Sequence, residues 1–192
     1  MLIGLVSNDL AIKNAVAWYL LICAGFRKAS IEEPVRTGLK AMFGLADNDF
    51  HPDRLHTPIE WLGKSPYQLV QSLATDWGRH SVSRQVWNIQ LANALKPMLR
   101  CGQDVVIPDV QFVADAEMVH RLGGQIWRVH SPHYTPDRAA IYTSEQEQAR
   151  LVEDLTLIND GTQEQLFESI DDALCDWFAR GGDLEVTHLA AA

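Results

Sequence analysis

Apolar residues fall in two spacings along this chain, and stretches of the two kinds alternate. Leu2–Val6, the Val105-Val-Ile107 run within Asp104–Val110, Ile126–Val129 and Leu155–Ile158 are short, nearly unbroken apolar runs. Runs of that length without polar alternation predict strands buried on both faces. Phe26–Ile31 fits one more short strand. Between them the spacing turns helical. Ala15, Val16, Tyr19, Leu20 and Cys23 follow Lys13. Val35, Leu39, Met42 and Phe43 follow Pro34, which suits a first helical turn, and Gly44 suits a stop. Ser65-Pro66 opens a helix that turns Leu69, Val70, Leu73 and Trp77 inward. Arg84–Lys96 carries Val86, Ile89, Ala92 and Leu95 at every third position, with Pro97 placed to end or kink it. Ala114–Leu122 stops at Gly123-Gly124. Thr162 and Gln165 form a capping box ahead of Leu166, Phe167, Ile170, Leu174 and Phe178. Strands alternating with helices predict an α/β fold, a parallel sheet of about five strands covered by helices on both faces.

Composition narrows the partners. The formal net charge is -9, with 47% apolar and 21% charged residues in 192. Such a chain builds a full core, and its acidity argues against the phosphate backbone of a nucleic acid as partner. It leaves room for a nucleotide, which needs only a few local cations. The first apolar run is short and lacks a basic leader, so neither a signal peptide nor a membrane span is expected. Cys23, Cys101 and Cys175 lie far apart and read as reduced cysteines in a cytosolic setting. His130 and His133 have no third ligand in the pattern, so no metal site is expected.

The candidate chemistry begins after the first strand. Ser7-Asn-Asp-Leu-Ala-Ile-Lys13-Asn14 has the layout of a phosphate-binding loop between a buried strand and a helix. In the pattern G-x-x-x-x-G-K-[ST], glycine backbones approach the phosphates, lysine reaches the outer ones and the hydroxyl holds Mg²⁺. Lys13 stands at the lysine, Ser7 and Ile12 at the two glycines, and Asn14 at the hydroxyl. In open α/β sheets ligands sit beyond the carboxyl ends of the strands. Ser7–Lys13, Asp109–Gln111 and Asn159–Gly161 are all at predicted strand ends and should meet at one crevice.

Several segments, in order and spacing, resemble the bacteriophage deoxynucleoside monophosphate kinases. They are Glu33-Pro-Val-Arg36 with Leu39, Trp61-Leu-Gly-Lys-Ser-Pro66, Leu69-Val-Gln-Ser-Leu-Ala-Thr-Asp-Trp-Gly-Arg79, Val105-Val-Ile-Pro-Asp-Val-Gln111, Leu122-Gly-Gly124 and Ile158-Asn-Asp-Gly161. The resemblance implies a P-loop kinase-like three-layer sandwich over residues 1–180, with a helical acceptor-binding insertion at 35–100, a lid-like segment at 131–150 and a flexible tail at 181–192. It implies transfer of the γ-phosphoryl of ATP, with Mg²⁺, to a deoxynucleoside monophosphate (dNMP) in the cytoplasm of an infected host cell. Lys13, Asp109 and Arg138 would be catalytic. Ser7, Asn8, Asp9, Ala11, Ile12 and Asn14 would form the phosphate loop. Arg36, Gln71, Arg79 and Gln111 would bind the acceptor, and Asn159, Asp160 and Gly161 the adenine.

The chain departs from that family at two glycines replaced by Ser7 and Ile12, at a hydroxyl or acidic residue replaced by Asn14, at an arginine replaced by Gln111 and at a position, usually glycine, that holds Ala74. Losing one charge-stabilising contact in phosphoryl transfer costs on the order of 10³-fold in rate. The expectation is therefore a retained fold with weakened or lost turnover. The alternatives are a nucleotide-binding module without catalysis, or a phage structural or interaction protein, alone, as a homodimer or with another phage protein. Each named residue also has a plain structural role to weigh. Lys13 suits a solvated first turn, Asp109 a cap, Arg36 and Arg79 surface ion pairs, and Gln71 a helix-surface hydrogen bond. Trp61, Trp77, Trp87 and Trp127 are core residues by default, and Asp171 and Asp172 a solvated helix face.

Overall fold

A computed structural model describes residues 1–132, 148 and 150–179. Five strands form one sheet: β1 (Leu2–Val6), β2 (Arg27–Lys28), β3 (Val105–Ile107), β4 (Gln125–His130) and β5 (Leu155–Ile158). Their order is β2-β3-β1-β4-β5 and every pair is parallel. The helices are α1 (Leu10–Ile22), α2 (Glu33–Phe43), α3 (Pro52–Leu55), α4 (Pro66–Gln71), α5 (Val86–Arg100), α6 (Val113–Arg121) and α7 (Gln163–Ala179), with a 3₁₀ turn at Asp47–Phe50 and a π-helix at Ser72–Val82. The sheet and its helices make the three-layer α/β fold that the alternation of apolar runs predicts.

The central strand explains the layers. All five residues of β1 are buried. Ile3 and Leu5 join Val16, Ala17 and Leu20 of α1 and Leu166, Ile170 and Leu174 of α7 in one core cluster. Leu2 and Gly4 point the opposite way, as alternation along a strand demands. A Cβ on Gly4 would stand 2.8 Å from Ile126 Cδ1, 2.9 Å from Val110 Cγ2 and 3.3 Å from Val119 Cγ2 of α6. A Cβ on Gly124 would meet the Leu2 carbonyl oxygen at 2.8 Å. Glycine is there because α6 and its exit lie hard against the sheet. Each fully buried Leu or Ile contributes about 1.5–3 kcal/mol.

The chain divides into two compact units, Met1–Ala29 with Ala92–Ala192, and Ser30–Leu91. The first carries the sheet. In the second, Val35 and Leu39 of α2 are buried with Ile31, Phe50, Val70 and Trp87. Gly44 closes α2 at φ 67°, and Ser65 caps α4 by accepting from the Gln68 amide at 3.3 Å.

Several local expectations are corrected. The second strand is only two residues long, and Asn48–Thr57, whose polar residues and Pro52 suggest a surface loop, holds the end of the 3₁₀ turn and α3, with Phe50 buried. α5 runs through Pro97 to Arg100 because proline removes one amide donor, while the residues after it still donate. Its buried stripe is Trp87, Leu91 and Leu95, and Ile89 is 53% exposed. A three-residue repeat drifts off one face of a 3.6-residue helix, so spacing of four wins. Met42 and Phe178 are exposed. Of the tryptophans, Trp127 and Trp87 are buried, but Trp61 and Trp77 are not. Trp61 sits in a tight turn closed by the Ile59–Lys64 bridge, with Gly63 at φ 67°. Trp77 lies on the π-helix, where one extra residue per turn moves it off the apolar face. The lid expected at 131–150 lies mostly outside the described residues, as do the tail at 181–192, Arg138 and His133. No helix among the described residues is long and apolar enough to cross a membrane.

Candidate functional site

The connection leaving β1 leads to edge strand β2, and that leaving β4 leads to the opposite edge strand β5. The carboxyl ends of β1 and β4 therefore flank a topological switch point, where α/β sheets place their ligands. Ser7 follows β1, Asp109 follows β3 and Asn159 follows β5. Because all strands are parallel, the three segments lie along one edge of the sheet. β3 adjoins β1, whereas β5 is two strands away, about 10 Å at ordinary strand spacing.

The turn after β1 is shorter than a phosphate-binding loop. Helix α1 begins at Leu10, so Ala11, Ile12 and Asn14 are helical and only Ser7, Asn8 and Asp9 remain between strand and helix. Asp9 is the N-cap. One carboxylate oxygen accepts from the Ala11 amide at 3.0 Å and the Ile12 amide at 3.2 Å, and the Asp9 carbonyl accepts from the Lys13 amide at 3.1 Å. The Asp9 amide donates to the buried Ser7 hydroxyl at 3.1 Å. Ile12 packs against the core cluster. Asp is favoured at this position for a simple reason: the first amides of a helix have no partner, and a short carboxylate supplies one while opposing the positive end of the helix dipole. Lys13 is buried, with 8% of its surface exposed.

The turn after β3 is built the same way. Asp115 is fully buried, and its Oδ2 accepts from the Gln111 amide at 3.1 Å and the Phe112 amide at 3.0 Å. Two backbone donors beside Asp109 are thus held by a carboxylate of the chain itself. Sequence reasoning missed Asp115; its signal was an acidic residue in the first turn of a helix that directly follows a strand.

Beyond β5, Asn159, Asp160 and Gly161 line a hollow of about 310 Å³ together with Thr162, Gln165, Glu168, Ser169 and Asp172. The Thr162 amide donates to Gln165 Oε1 at 2.8 Å, and the Gln165 amide to the Thr162 hydroxyl at 3.3 Å, which is the expected capping box. Asn159 Oδ1 is buried and finds no hydrogen-bond donor among the described residues. Asp160, Glu168 and Asp172 set negative charge around the hollow, which suits a neutral ring better than a phosphate.

In the second unit, Arg36 bonds Glu32 at 3.1 Å, and its guanidinium lies 5.7 Å from the centre of the Phe50 ring. Its Nε is buried without an acceptor among the described residues. Gln71 contacts Tyr67 at 3.4 Å and Thr75 at 3.5 Å. Arg79 Nη1 faces the Arg84 carbonyl at 3.4 Å and Asn88 Oδ1 at 3.5 Å. No group of three His, Cys, Asp or Glu suited to a metal ion occurs among the described residues.

A protein of Acanthamoeba polyphaga mimivirus named "putative deoxynucleotide monophosphate kinase" is 27% identical over 188 residues, covering 88% of this chain and 94% of its own. The dephospho-CoA kinase of Campylobacter jejuni superposes with a TM-score of 0.54 at 10% identity, over 94% of this chain and 98% of its own. The chain shares the fold of this kinase. A solved Thermus thermophilus protein shares the architecture, with a TM-score of 0.50 at 17% identity over 92% and 97% of the two chains. No family model matches the sequence. Within this P-loop kinase fold, Lys13, Asp109, Gln111 and Asn159–Gly161 belong to the unit that carries the sheet, and Arg36, Gln71 and Arg79 to the other.

Proposed function

We propose that this protein binds deoxynucleoside monophosphates on a nucleotide-kinase scaffold, and that its transfer of phosphoryl from ATP is weak or lost. The substrate class rests on the named viral relative, at 27% identity over nearly the whole chain. The loss of turnover rests on one observation, the Asp9 cap. The backbone amides of Ala11, Ile12 and Lys13, at the head of α1 where a triphosphate would be received, are already bonded to Asp9. A carboxylate at the head of α1 also repels the phosphates a kinase must attract. Asn14 stands where relatives carry a hydroxyl or an acidic residue, and its neutral carboxamide lacks the charge of the acidic ligand. The residues of this turn therefore do not fit an Mg²⁺–triphosphate.

In this reading Arg36, Gln71 and Arg79 hold the monophosphate. Gln111 is a poorer anion partner than the arginine of the family. Asn159, Asp160 and Gly161 line the hollow that would take a base. Lys13, Asp109 and Arg138 are what remains of the catalytic set. A coupled assay with ATP, Mg²⁺ and each of dTMP and dGMP tests the reading, alongside thermal shifts with each nucleotide. The expected result is a shift with a monophosphate, little or none with ATP, and no turnover reaching about 1 s⁻¹. Turnover at that rate, abolished by Lys13→Ala, overturns the loss of catalysis. Absence of a shift with any nucleotide overturns nucleotide binding and favours a structural role.

A further inference from the structure

The segment Ser72–Val82 follows a different helix from the one its sequence asks for. Leu69, Val70, Leu73 and Trp77 lie at α-helical spacing, which would bury all four. The chain instead winds as a π-helix, with the Ser83 amide donating to the Gly78 carbonyl five residues back at 3.0 Å. Leu73 is only half-buried and Trp77 is 53% exposed, while Gly78 is buried. Giving up a buried indole is costly, so another contact must hold the π form.

That contact is Trp87. Its indole N–H donates to the Ala74 carbonyl at 2.9 Å, and the ring lies against Gly78 so closely that a Cβ there would be 2.6–2.7 Å from ring atoms. Trp87 is 7% exposed and anchored in α5. The next residue of α5, Asn88, is 1% exposed and presents its Oδ1 to Arg79, the residue after Gly78. Two adjacent side chains of α5 thus grip two adjacent positions of the π-helix. One residue more or less in a helix turns everything beyond it by about 100°. An α-helical register would therefore aim Arg79 in another direction.

We propose that Trp87 is a positioning residue: by holding the π form of Ser72–Val82 it sets the direction in which Arg79 meets a nucleoside monophosphate. This rests on the reading of Arg79 as acceptor-binding. The sequence contains both alternatives, an apolar α stripe that buries Trp77 and a Gly78 that only the π form places under Trp87.

The experiment uses the full-length protein and four variants, Trp87→Phe, Gly78→Ala, the Gly78→Ala/Trp87→Phe double and Arg79→Ala. Binding of dTMP and dGMP is measured by calorimetry, and stability by thermal melting. Exposure of Trp77 is read by fluorine NMR on 5-fluorotryptophan protein with a soluble gadolinium chelate, the Trp77 signal being assigned with Trp77→Phe. Phenylalanine lacks the indole N–H and vacates the space that a Cβ at position 78 needs. The double variant should thus melt higher than Gly78→Ala alone. Trp87→Phe and the double should both bind the monophosphate more weakly by about tenfold, the worth of one charge-assisted contact, with Trp77 shifted and shielded from the chelate. Recovery of binding together with stability in the double reduces Trp87 to packing and overturns the proposal. So does a Trp87→Phe protein whose Trp77 signal is unmoved. If Trp87→Phe does not fold, Gly78→Ala attacks the same contact from the other side and is read the same way. Failure of the acceptor reading looks different: the wild type binds neither monophosphate, or Arg79→Ala binds like the wild type, while the Trp77 signal still moves in Trp87→Phe.

Discussion

Replacing Asp9 by alanine separates the two roles given to its carboxylate. As a cap, the carboxylate satisfies the Ala11 and Ile12 amides at 3.0 and 3.2 Å. Losing a capping side chain costs about 1 kcal/mol, and losing the charge at the helix head about 0.5 kcal/mol more. In a protein of this size each kcal/mol moves the melting midpoint by about 2–4 °C, so Asp9→Ala should melt about 3–6 °C lower. As a barrier, the same carboxylate opposes a phosphate. A charge about 5 Å from another costs about 1–3 kcal/mol between the dielectric of water and that of a protein surface. Removing it should tighten binding of ATP or inorganic triphosphate by at least about fivefold. Asp9→Asn keeps an acceptor without the charge, so it should recover much of the stability and also bind triphosphate better than the wild type. Calorimetry with triphosphate and thermal melting of the three proteins give both quantities. Lower stability with unchanged triphosphate affinity in Asp9→Ala would make Asp9 a cap and nothing more, with no part in excluding a triphosphate.

Further expectations follow from packing and titration. Gly124→Ala should cost about 1–3 kcal/mol by denaturant unfolding, because the new methyl meets the Leu2 carbonyl at 2.8 Å and backbone cannot swing aside; a neutral result would mean that the turn after α6 gives way to the methyl. Asp115→Ala should cost about 2–3 kcal/mol, since it strands the Gln111 and Phe112 amides; a cost under about 0.5 kcal/mol would show that water replaces the carboxylate. The Tyr19 phenol donates to Asp171 at 2.7 Å, and this bond, with burial, pushes its pKa from 10.0 up to about 12. The fold thus favours the neutral phenol. The resulting stability is complete below about pH 10 and drains away as the pH rises towards about 12. Melting curves from about pH 9 to about 11.5 should fall less steeply for Tyr19→Phe than for the wild type, and parallel curves would show that the bond carries no linkage.

The strands and their neighbours were legible because burial on both faces leaves a mark that needs no partner. An unbroken apolar run such as Leu2–Val6 fits few environments other than the middle of a covered sheet. Caps were legible because they act locally: Ser65, and Thr162 with Gln165, satisfy amides a few residues away. The four-residue spacing of Leu166, Ile170 and Leu174 likewise placed α7 against the sheet. The turn after β1 was legible as a departure from a phosphate loop, but not in its outcome. Ser7 and Ile12 could be seen to replace glycines; that α1 would start early and that Asp9 would close it depended on Ile12 finding a place in the core.

What the sequence by itself determined is the α/β alternation, the buried first strand and the departure of the turn after it from a phosphate loop. Each is written in contacts between near neighbours or in the burial of a whole segment. Tertiary structure alone decided the winding of Ser72–Val82, the exposure of Trp77 and the burial of Asp115. The first two hang on Trp87, ten residues beyond Trp77 and on another helix. Local periodicity favours the α form there, and one indole pressed on a glycine outweighs it, because a close-packed contact is felt only once both helices are in place.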